Sequence, residues 1–538
     1  MQTKYLIPAS LALAFASAAA QQAPTVKEAP LRAHLSFLAD DLLEGRGTGQ
    51  RGGDLAVRYL ETQAAAIGLK PLASGLYRQP VKFQGTKLLA GSAIRFSAGG
   101  TTLAPRVGED VLIGAGNGQA EVKLDAPLVF VGYGAIAPEE HWDDYKGHDV
   151  KGKILVMMVN DPQPTAQEPN RFAGKGYTYY GRWMYKYEEA LRRGAAGALL
   201  IHTTPSASYG WNVPSTSFTL ERFHAPGQGN QIEGWLTEDY ARTLFKAAGF
   251  NLDTLRAQAE RKDFRPVELN ARAQADIRSS VRQVEQFNVV GIVPGSDPKL
   301  KEEAVVYSAH WDHLGKADGP DGQDRIYNGA IDNGSGAAAL LAMAAEAVKK
   351  PAKRSQVFLW PAAEEVGMHG AQAYVAAPAF PLKRTLADLN LDSMNFAGRT
   401  RDIGVAGAER SSLYASAAKV AKKMGLRIAP SIPDLSGAYF RADHFQFAKV
   451  GVPAFNVGSA VFSGDGHFEF EHQHDTSAAK IVAFKGDYHR TSDEYQASWD
   501  LSGMVQQAQF TLNLGYELAN GKDMPTWKKG DPFSYIKR

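Results

Sequence analysis

The stretch that decides the fold begins with Ala304-Val-Val-Tyr-Ser308 and continues through Ala309-His310-Trp311-Asp312-His313 to Asp392. Its apolar runs and polar breaks indicate strand, loop, helix, strand, loop, helix and strand, which is typical of an α/β fold. The predicted strands are residues 304–308, 356–360 and 386–391, and the predicted helix after the first loop is residues 337–348. In such a fold, ligands bind at the carboxyl ends of the strands.

Metal-binding side chains follow each predicted strand or precede the predicted helix. Imidazole nitrogen and carboxylate oxygen are ligands of zinc, and a catalytic zinc site keeps one position open for water. Where two such residues are close in sequence, one can bind metal while the other orients its neighbour or transfers protons. The pattern therefore predicts a metal site at this edge of the sheet. The candidates are His310, Asp312, Asp332, Glu364, Glu365 and Asp392.

The composition is that of a globular protein. The chain has 538 residues, of which 44% are hydrophobic and 22% charged, so it can form several domains. A formal net charge of +2 gives no reason to expect nucleic acid as a partner. Beyond the N-terminus, no stretch approaches the roughly 18 apolar residues that cross a bilayer, so we expect no membrane anchor.

The first 20 residues have the pattern of a signal peptide. Lys4 supplies the positive charge, residues 6–16 the apolar run, and Ala18-Ala19-Ala20 the cleavage motif. We therefore expect export to the periplasm or the medium. The sequence contains no cysteine, which excludes disulfides, thiolate zinc ligands and a lipid-modified cysteine anchor.

The pattern of predicted helices and strands in the remaining sequence changes twice. We expect residues 21–124 to form the first part of a catalytic domain, with helices at 31–43 and 54–67 and Gly68 as the C-cap of the second. Residues 125–275 are rich in predicted strands and are interpreted as an insertion. Residues 276–538 return to alternating strand and helix, beginning with a strand at 288–293, and contain all the metal-ligand candidates.

An ordered set of motifs resembles the M28 family of co-catalytic zinc peptidases. The segment Leu43-Glu-Gly-Arg-Gly-Thr-Gly49 also resembles that family's N-terminal signature, and Asp443-His-Phe-Gln-Phe447 resembles the segment before its last strand. The insertion resembles a protease-associated (PA) domain. The fold implied is α/β, a mixed central sheet flanked by helices, with this β-rich domain inserted. The five motifs are His310-Trp-Asp312, Asp332-Asn-Gly-Ser-Gly336, Glu364-Glu365, Asn390-Leu-Asp392 and Tyr488-His489.

The resemblance assigns roles to these residues and implies two zinc ions per chain. His310 and Asp392 would hold one zinc, Glu365 and His489 the other, and Asp332 would bridge them. Glu364 would be the general base, Asp312 would orient His310, and Tyr488 would polarise the scissile carbonyl. Relatives have a cis peptide after the bridging aspartate, so we expect one between Asp332 and Asn333. No metal role is assigned to His313, His444, His467, His472 or His474.

The predicted function is that of an exported di-zinc exopeptidase. It would release N-terminal residues from peptides or small proteins through a metal-bridging water that Glu364 activates. A carboxypeptidase or dipeptidase with the same ligands remains an alternative, as does a single-zinc glutaminyl cyclase. A non-catalytic receptor is a third class, although such relatives lose ligands and this chain keeps them all. The preferred side chain, the oligomeric state and the role of the insertion are not encoded in these motifs.

Overall fold

A computed structural model describes residues 23–225, 227–320, 322–430, 433–458, 469–472 and 486–538. The predicted signal peptide and most of the histidine-rich segment 466–474 lie outside these residues. The helices are α1 Glu28–Leu38, α2 Arg51–Ile67, α3 Trp183–Arg192, α4 Thr204–Ala207, α5 Asn212–Thr219, α6 Glu238–Ala247, α7 Leu252–Ala259, α8 Gly336–Ala347, α9 His369–Ala376, α10 Leu413–Lys423, α11 His444–Lys449 and α12 Ser502–Asn520.

The strands of the described residues join into one large mixed sheet and three small two-stranded sheets. They are β1 Arg78–Leu88, β2 Ala93–Ala98, β3 Thr101–Leu103, β4 Val111–Gly114, β5 Glu121–Phe130, β6 Ile136–Ala137, β7 Trp142–Asp143, β8 Ile154–Met158, β9 Gly197–His202, β10 Arg222–His224, β11 Ile232–Thr237, β12 Val267–Val293, β13 Ala304–Ser308, β14 Gly315–Lys316, β15 Ile326–Tyr327, β16 Ser355–Trp360, β17 Thr385–Asn390, β18 Asp402–Ile403, β19 Arg427–Ile428 and β20 Ala454–Asn456.

Four parallel strands form the part of the sheet that matters for function. Their order is β20, β17, β13 and β16, and β12 pairs antiparallel with β16 at the next position. Because the four strands are parallel, their carboxyl ends meet at one edge of the sheet. This is the arrangement that the sequence predicts for the strands beginning at residues 304, 356 and 386.

Helices cover both faces of this part of the sheet. Side chains alternate along β13, so that Val305 and Tyr307 face one core and Val306 faces the other. The first core includes residues of α1, α2, α8, α10 and α12, and the second includes residues of α9 and α11. Helix α8 is buried along almost its whole length, as expected for a helix made largely of alanine and leucine.

Strand β12 links this half of the molecule, the catalytic unit, to a second unit. Residues 279–289 pair with β1 and residues 289–293 with β16, whereas residues 267–278 pair with β5 and, over 271–276, with β2. The second unit continues through β8, β9, β11 and β4, and it has its own apolar cores. The two units thus share one continuous strand.

The unit boundaries differ from the predicted ones. Residue 125 lies inside β5 and residue 275 lies inside β12. Strands β2 and β4, assigned by sequence to the catalytic domain, instead contribute Ile94, Phe96 and Val111 to the core of the second unit. The sequence did not reveal this because β12 alternates apolar and polar residues without a turn signal between its two halves.

The predicted helices are present, with shifted ends. Helix α1 ends at Leu38 rather than at residue 43, because Asp40 caps a separate short turn and Glu44 and Gly45 have positive φ. Helix α2 ends as predicted, with Gly68 in the left-handed C-cap conformation. The expected α/β fold with a mixed central sheet flanked by helices is confirmed. Among the described residues, no helix has both the length and the apolar character to span a membrane.

Candidate metal centre

The predicted ligands converge at the carboxyl edge of the parallel strands. His310 follows β13, Glu364 and Glu365 follow β16, and Asp392 follows β17. Asp332 lies in the turn that leads into α8. His489 comes from the distant segment that begins at Gly486, which no strand periodicity connects to this edge.

The first group of ligand atoms surrounds His310. Its Nε2 lies 3.4 Å from Asp332 Oδ1 and 3.6 Å from Asp392 Oδ1. The three side chains each offer one ligand atom, and these atoms all lie within 4.8 Å of one another. His310 is 1% exposed and Asp332 3%, so these charges are removed from bulk water.

The second group uses the other oxygen of Asp332. His489 Nε2 lies 3.2 Å from Asp332 Oδ2 and 3.2 Å from Glu365 Oε2. His313, Asp332 and Glu365 also offer ligand atoms that lie within 4.8 Å of one another, with His313 Nδ1 2.5 Å from Glu365 Oε1 and 3.9 Å from Asp332 Oδ2. Asp332 therefore presents one carboxylate oxygen to each group, as a bridging ligand must.

These distances fit zinc. Two ligands that are each about 2.0 Å from a tetrahedral zinc lie about 3.3 Å apart. The separations around His310 Nε2 and His489 Nε2 range from 3.2 to 3.6 Å. His489 Nε2 is buried and has no hydrogen-bond partner among the described residues. The donor set and its spacing thus fit two zinc positions bridged by Asp332.

Asp312 fixes the ring of His310 through its main chain. His310 Nδ1 lies 3.1 Å from the carbonyl oxygen of Asp312, whereas the Asp312 carboxylate is 3.9 Å away. If Nδ1 carries the proton and donates to this carbonyl, Nε2 keeps a lone pair for metal. The Asp312 carboxylate instead accepts hydrogen bonds from the N–H of Glu364 (3.1 Å) and from Thr48 Oγ1 (3.2 Å). Asp312 therefore contacts the ring of His310 through its main-chain carbonyl rather than through its carboxylate.

Asp332 is held by its own neighbours. The Asp493 carboxylate accepts hydrogen bonds from the main-chain N–H groups of Ile331 and Asp332, at 3.0 and 3.1 Å. The amide of Asn333 donates to the carbonyl of Leu391 and accepts from the N–H of Gly336, which starts α8. The peptide bond between Asp332 and Asn333 is cis, as expected.

The N-terminal signature, residues 43–49, lies next to the candidate metal centre and supports its loops. Arg46 is fully buried, and its guanidinium donates to main-chain carbonyls rather than to carboxylates. Burial lowers the pKa of Arg46 to about 10, although Asp493 and Asp312 oppose this. Arg46 of this signature therefore holds the surrounding loops in position and forms no hydrogen bond with the carboxylates that face the metal positions. The acceptors are the carbonyls of Leu38, Trp311, Asn328 and Gly329.

Glu364 and Tyr488 both line the cavity above the ligands. Burial raises the pKa of Glu364 well above its usual range; His310 opposes the shift and Glu365 adds to it. Burial also raises the pKa of Tyr488, so its phenol stays protonated and can donate a hydrogen bond. The Tyr488 ring stacks on that of His489 at a centroid distance of 3.8 Å.

Two contributors to the centre were missed by sequence reasoning. His313 stands one residue from Asp312, and its spacing alone could have marked it as a candidate. Asp493 lies four residues after His489 and carries no motif signal, so only the structure identifies it. His444 is buried in α11, away from the two ligand groups. His467 and His474 lie outside the described residues, whereas His472 is described.

Three of the ligands, Glu365, Asp392 and His489, line a cavity of about 2070 Å³. One wall belongs to the second unit and includes Phe172, Tyr177 and Tyr180. Contacts that hold this wall in place include the N–H of Tyr177 to the carbonyl of Asp434, at 2.6 Å. Lys449 also pairs with Glu188 at 2.7 Å. Both units therefore shape the space above the metal positions.

Fold and site together define the class: an α/β protein with a candidate two-metal centre at the carboxyl edge of its parallel strands. In sequence, residues 288–512, which contain the five predicted ligands, match the model of Peptidase family M28. No curated protein matches the chain.

The chain is similar to several solved structures. An aminopeptidase from Aneurinibacillus sp. strain AM-1 matches with a TM-score of 0.51 and 18% identity, over 93% of this chain and 95% of that one. A zinc aminopeptidase from Bacillus subtilis matches with a TM-score of 0.43 and 19% identity, over 95% and 98%. The family match indicates a peptidase, and the first of these structures has a similar fold.

Proposed function

We propose that the chain is a zinc-dependent aminopeptidase that holds two zinc ions and releases N-terminal residues from peptides. The observation that carries the proposal is the bridging geometry of Asp332. Its two oxygens face two separate His–carboxylate groups at distances that suit tetrahedral zinc. The M28 match over the same residues supports hydrolysis of a peptide bond as the reaction.

The metals would supply Lewis acidity and lower the pKa of an attacking water toward neutrality. Glu364 takes the proton of that water and returns it to the leaving amine, which is general acid–base catalysis by one carboxyl group. Its place on the cavity floor, directly before Glu365 in the chain, brings it close to the metal positions. Tyr488 donates its phenolic O–H to the scissile carbonyl oxygen as negative charge develops there.

The substrate is the end of a peptide chain. The cavity is larger than the roughly 300–1,000 Å³ of a typical small-molecule pocket, which favours a peptide over a single amino-acid derivative. The presence of two ligand groups favours this reading over a single-zinc glutaminyl cyclase. We further propose that the second unit is a PA-type domain and that residues 1–20 direct export to the periplasm or medium.

The test compares three forms of one dipeptide substrate with the zinc-loaded protein. The free-amine dipeptide amide should be cleaved, and its N-acetylated form should resist cleavage. Cleavage only of an N-acetylated dipeptide with a free carboxylate would instead identify a carboxypeptidase. Release of ammonia from an N-terminal glutamine, without peptide cleavage, would identify a cyclase.

A further inference from the structure

His313 occupies a defined position beside the second ligand group. It follows β13 by five residues and is 1% exposed. Its Nδ1 lies 2.5 Å from Glu365 Oε1, and its Nε2 is buried without a hydrogen-bond partner among the described residues. The two ring nitrogens therefore have different environments, and only Nδ1 faces a candidate ligand closely.

The ring of His313 is fixed from several sides. Its main-chain N–H donates to the carbonyl of Arg46 at 3.4 Å. A Cβ on Gly329 would lie 2.5 Å from His313 Cγ, so the backbone of Gly329 packs directly on the ring. The ring of His489 approaches edge-on at a centroid distance of 5.6 Å. This packing leaves the imidazole little freedom to rotate away from Glu365.

The contact between His313 Nδ1 and Glu365 Oε1 is a hydrogen bond. It is too short to be the distance between two ligands of one zinc ion. A separation of 2.5 Å is well below the about 3.3 Å expected between two ligands of one tetrahedral zinc. A ligand carboxylate only accepts hydrogen bonds, so Nδ1 must carry the proton and donate it. Nε2 is then an unpaired acceptor, which leaves no buried N–H unsatisfied.

We propose that His313 is a positioning residue for the second zinc. Its Nδ1–H binds Glu365 Oε1 and thereby directs the other oxygen, Oε2, to the metal. Oε2 is the oxygen that lies 3.2 Å from His489 Nε2, so the two oxygens of this carboxylate have different partners. The inference rests on the proposed function only in requiring zinc at this position.

The experiment measures zinc binding rather than turnover. Metal-free wild type, His313→Ala and His313→Asn are titrated with zinc against a chelating indicator that resolves two binding steps. Asparagine keeps an N–H donor close to the place of Nδ1, whereas alanine removes it. His202→Ala is the control, because His202 is a buried histidine of the second unit that contacts only the carbonyl of Tyr209 among the hydrogen bonds of the described residues.

We expect His313→Ala to weaken one zinc-binding step by about 10- to 100-fold and to leave the other unchanged. His313→Asn and His202→Ala should bind both ions within a few-fold of wild type. Circular dichroism checks the fold of each variant. If the alanine variant does not fold, His313→Leu takes its place, because leucine fills more of the space of the ring and also lacks an N–H donor.

Two results would overturn the proposal. Wild-type affinity for both ions in folded His313→Ala would mean that the hydrogen bond does not matter. A loss of more than tenfold in His313→Asn would mean that the ring itself binds zinc. A wild-type protein that binds two zinc ions and cleaves no peptide would refute the proposed function. The test of His313 would remain valid, because it measures only zinc binding.

Discussion

The two units each bury a cluster of charged side chains, and the clusters differ in charge balance. In the second unit, Lys186 lies with Asp144 and Asp161, and all three are buried. Lys186 Nζ donates to the carbonyls of Tyr133 and Asn160, at 2.5 and 2.8 Å. Both carboxylates accept hydrogen bonds, including one of 2.8 Å from Trp142 Nε1 to Asp144.

The cluster of the catalytic unit has a surplus of carboxylates. The cation nearest to it, Arg46, gives its hydrogen bonds to main-chain carbonyls. His489 Nε2 and the facing oxygens of Asp332 and Glu365 lie at ligand spacing without forming hydrogen bonds. Burying unpaired charge is costly. Both cations give their hydrogen bonds to main-chain carbonyls, so the clusters differ in the number of carboxylates and in their place beside a cavity. We conclude that the surplus of anions beside the cavity marks a site for an external cation.

The largest effect that this comparison predicts is the loss of activity on metal removal. Dialysis against a chelator should abolish peptide cleavage, and zinc or cobalt should restore it. The expected cause is that every catalytic group acts on a substrate polarised at the metal positions. Metal content is measured by atomic absorption alongside activity. A metal-free preparation with full activity would show that the acidic cluster is structural after all.

Glu364→Gln should lower kcat by about 10²–10⁴-fold, because it keeps the size of the side chain and removes the proton acceptor. Zinc content should stay at two ions per chain, since Glu364 is not among the ligand groups. Steady-state kinetics on a free-amine peptide gives the effect, and metal analysis is the control. Substantial kcat in a zinc-loaded variant would end the assignment of the base.

Lys186→Met should lower the free energy of unfolding by about 1–3 kcal/mol, because it leaves the main-chain carbonyls of Tyr133 and Asn160 without their buried donor. Added zinc should not restore the loss, in contrast to the catalytic cluster. Urea denaturation measures it. Lys153→Met is the control, since Lys153 pairs with the partly exposed Glu268 and such a pair contributes at most about 1 kcal/mol. Equal effects of the two substitutions would contradict the assigned difference in burial.

Thr48→Val should have the smallest effect. It removes the hydroxyl that donates to Asp312 Oδ2 and costs about 1 kcal/mol of stability. Zinc affinity should change little, because Asp312 orients His310 through its carbonyl. Thermal unfolding measures the loss of stability, and zinc titration measures the affinity for zinc. A large loss of zinc affinity would mean that the Asp312 carboxylate itself holds His310.

The sequence identifies this site better than it locates the units. Strand-exit positions can be predicted, because apolar runs end where polar residues begin, and His310, Glu365 and Asp392 follow such ends. Distances cannot be predicted, so the hydrogen bond of His313 and the support from Asp493 were not anticipated. A motif records residue types and not main-chain geometry, so it does not show that Asp312 reaches His310 through its carbonyl oxygen.

The boundary between the two units is hard to predict for a different reason. A single strand that serves two cores has the same alternation throughout, so its sequence contains no mark where one core ends. Leu269, Ala273 and Ile277 face the core of the second unit, whereas Val284 and Val289 face that of the catalytic unit. Sequence patterning reports that a residue is buried but not which neighbour buries it.

The shared strand β12 also determines how a substrate enters. Hinge closure depends on loop or terminal residues that absorb changes in φ and ψ. No such residue separates the two halves of β12, whose ladder is continuous from Arg272 to Val293. The paired part of β12 therefore offers no hinge between the two units. We expect the cavity to accept a peptide end without a closing motion about this strand.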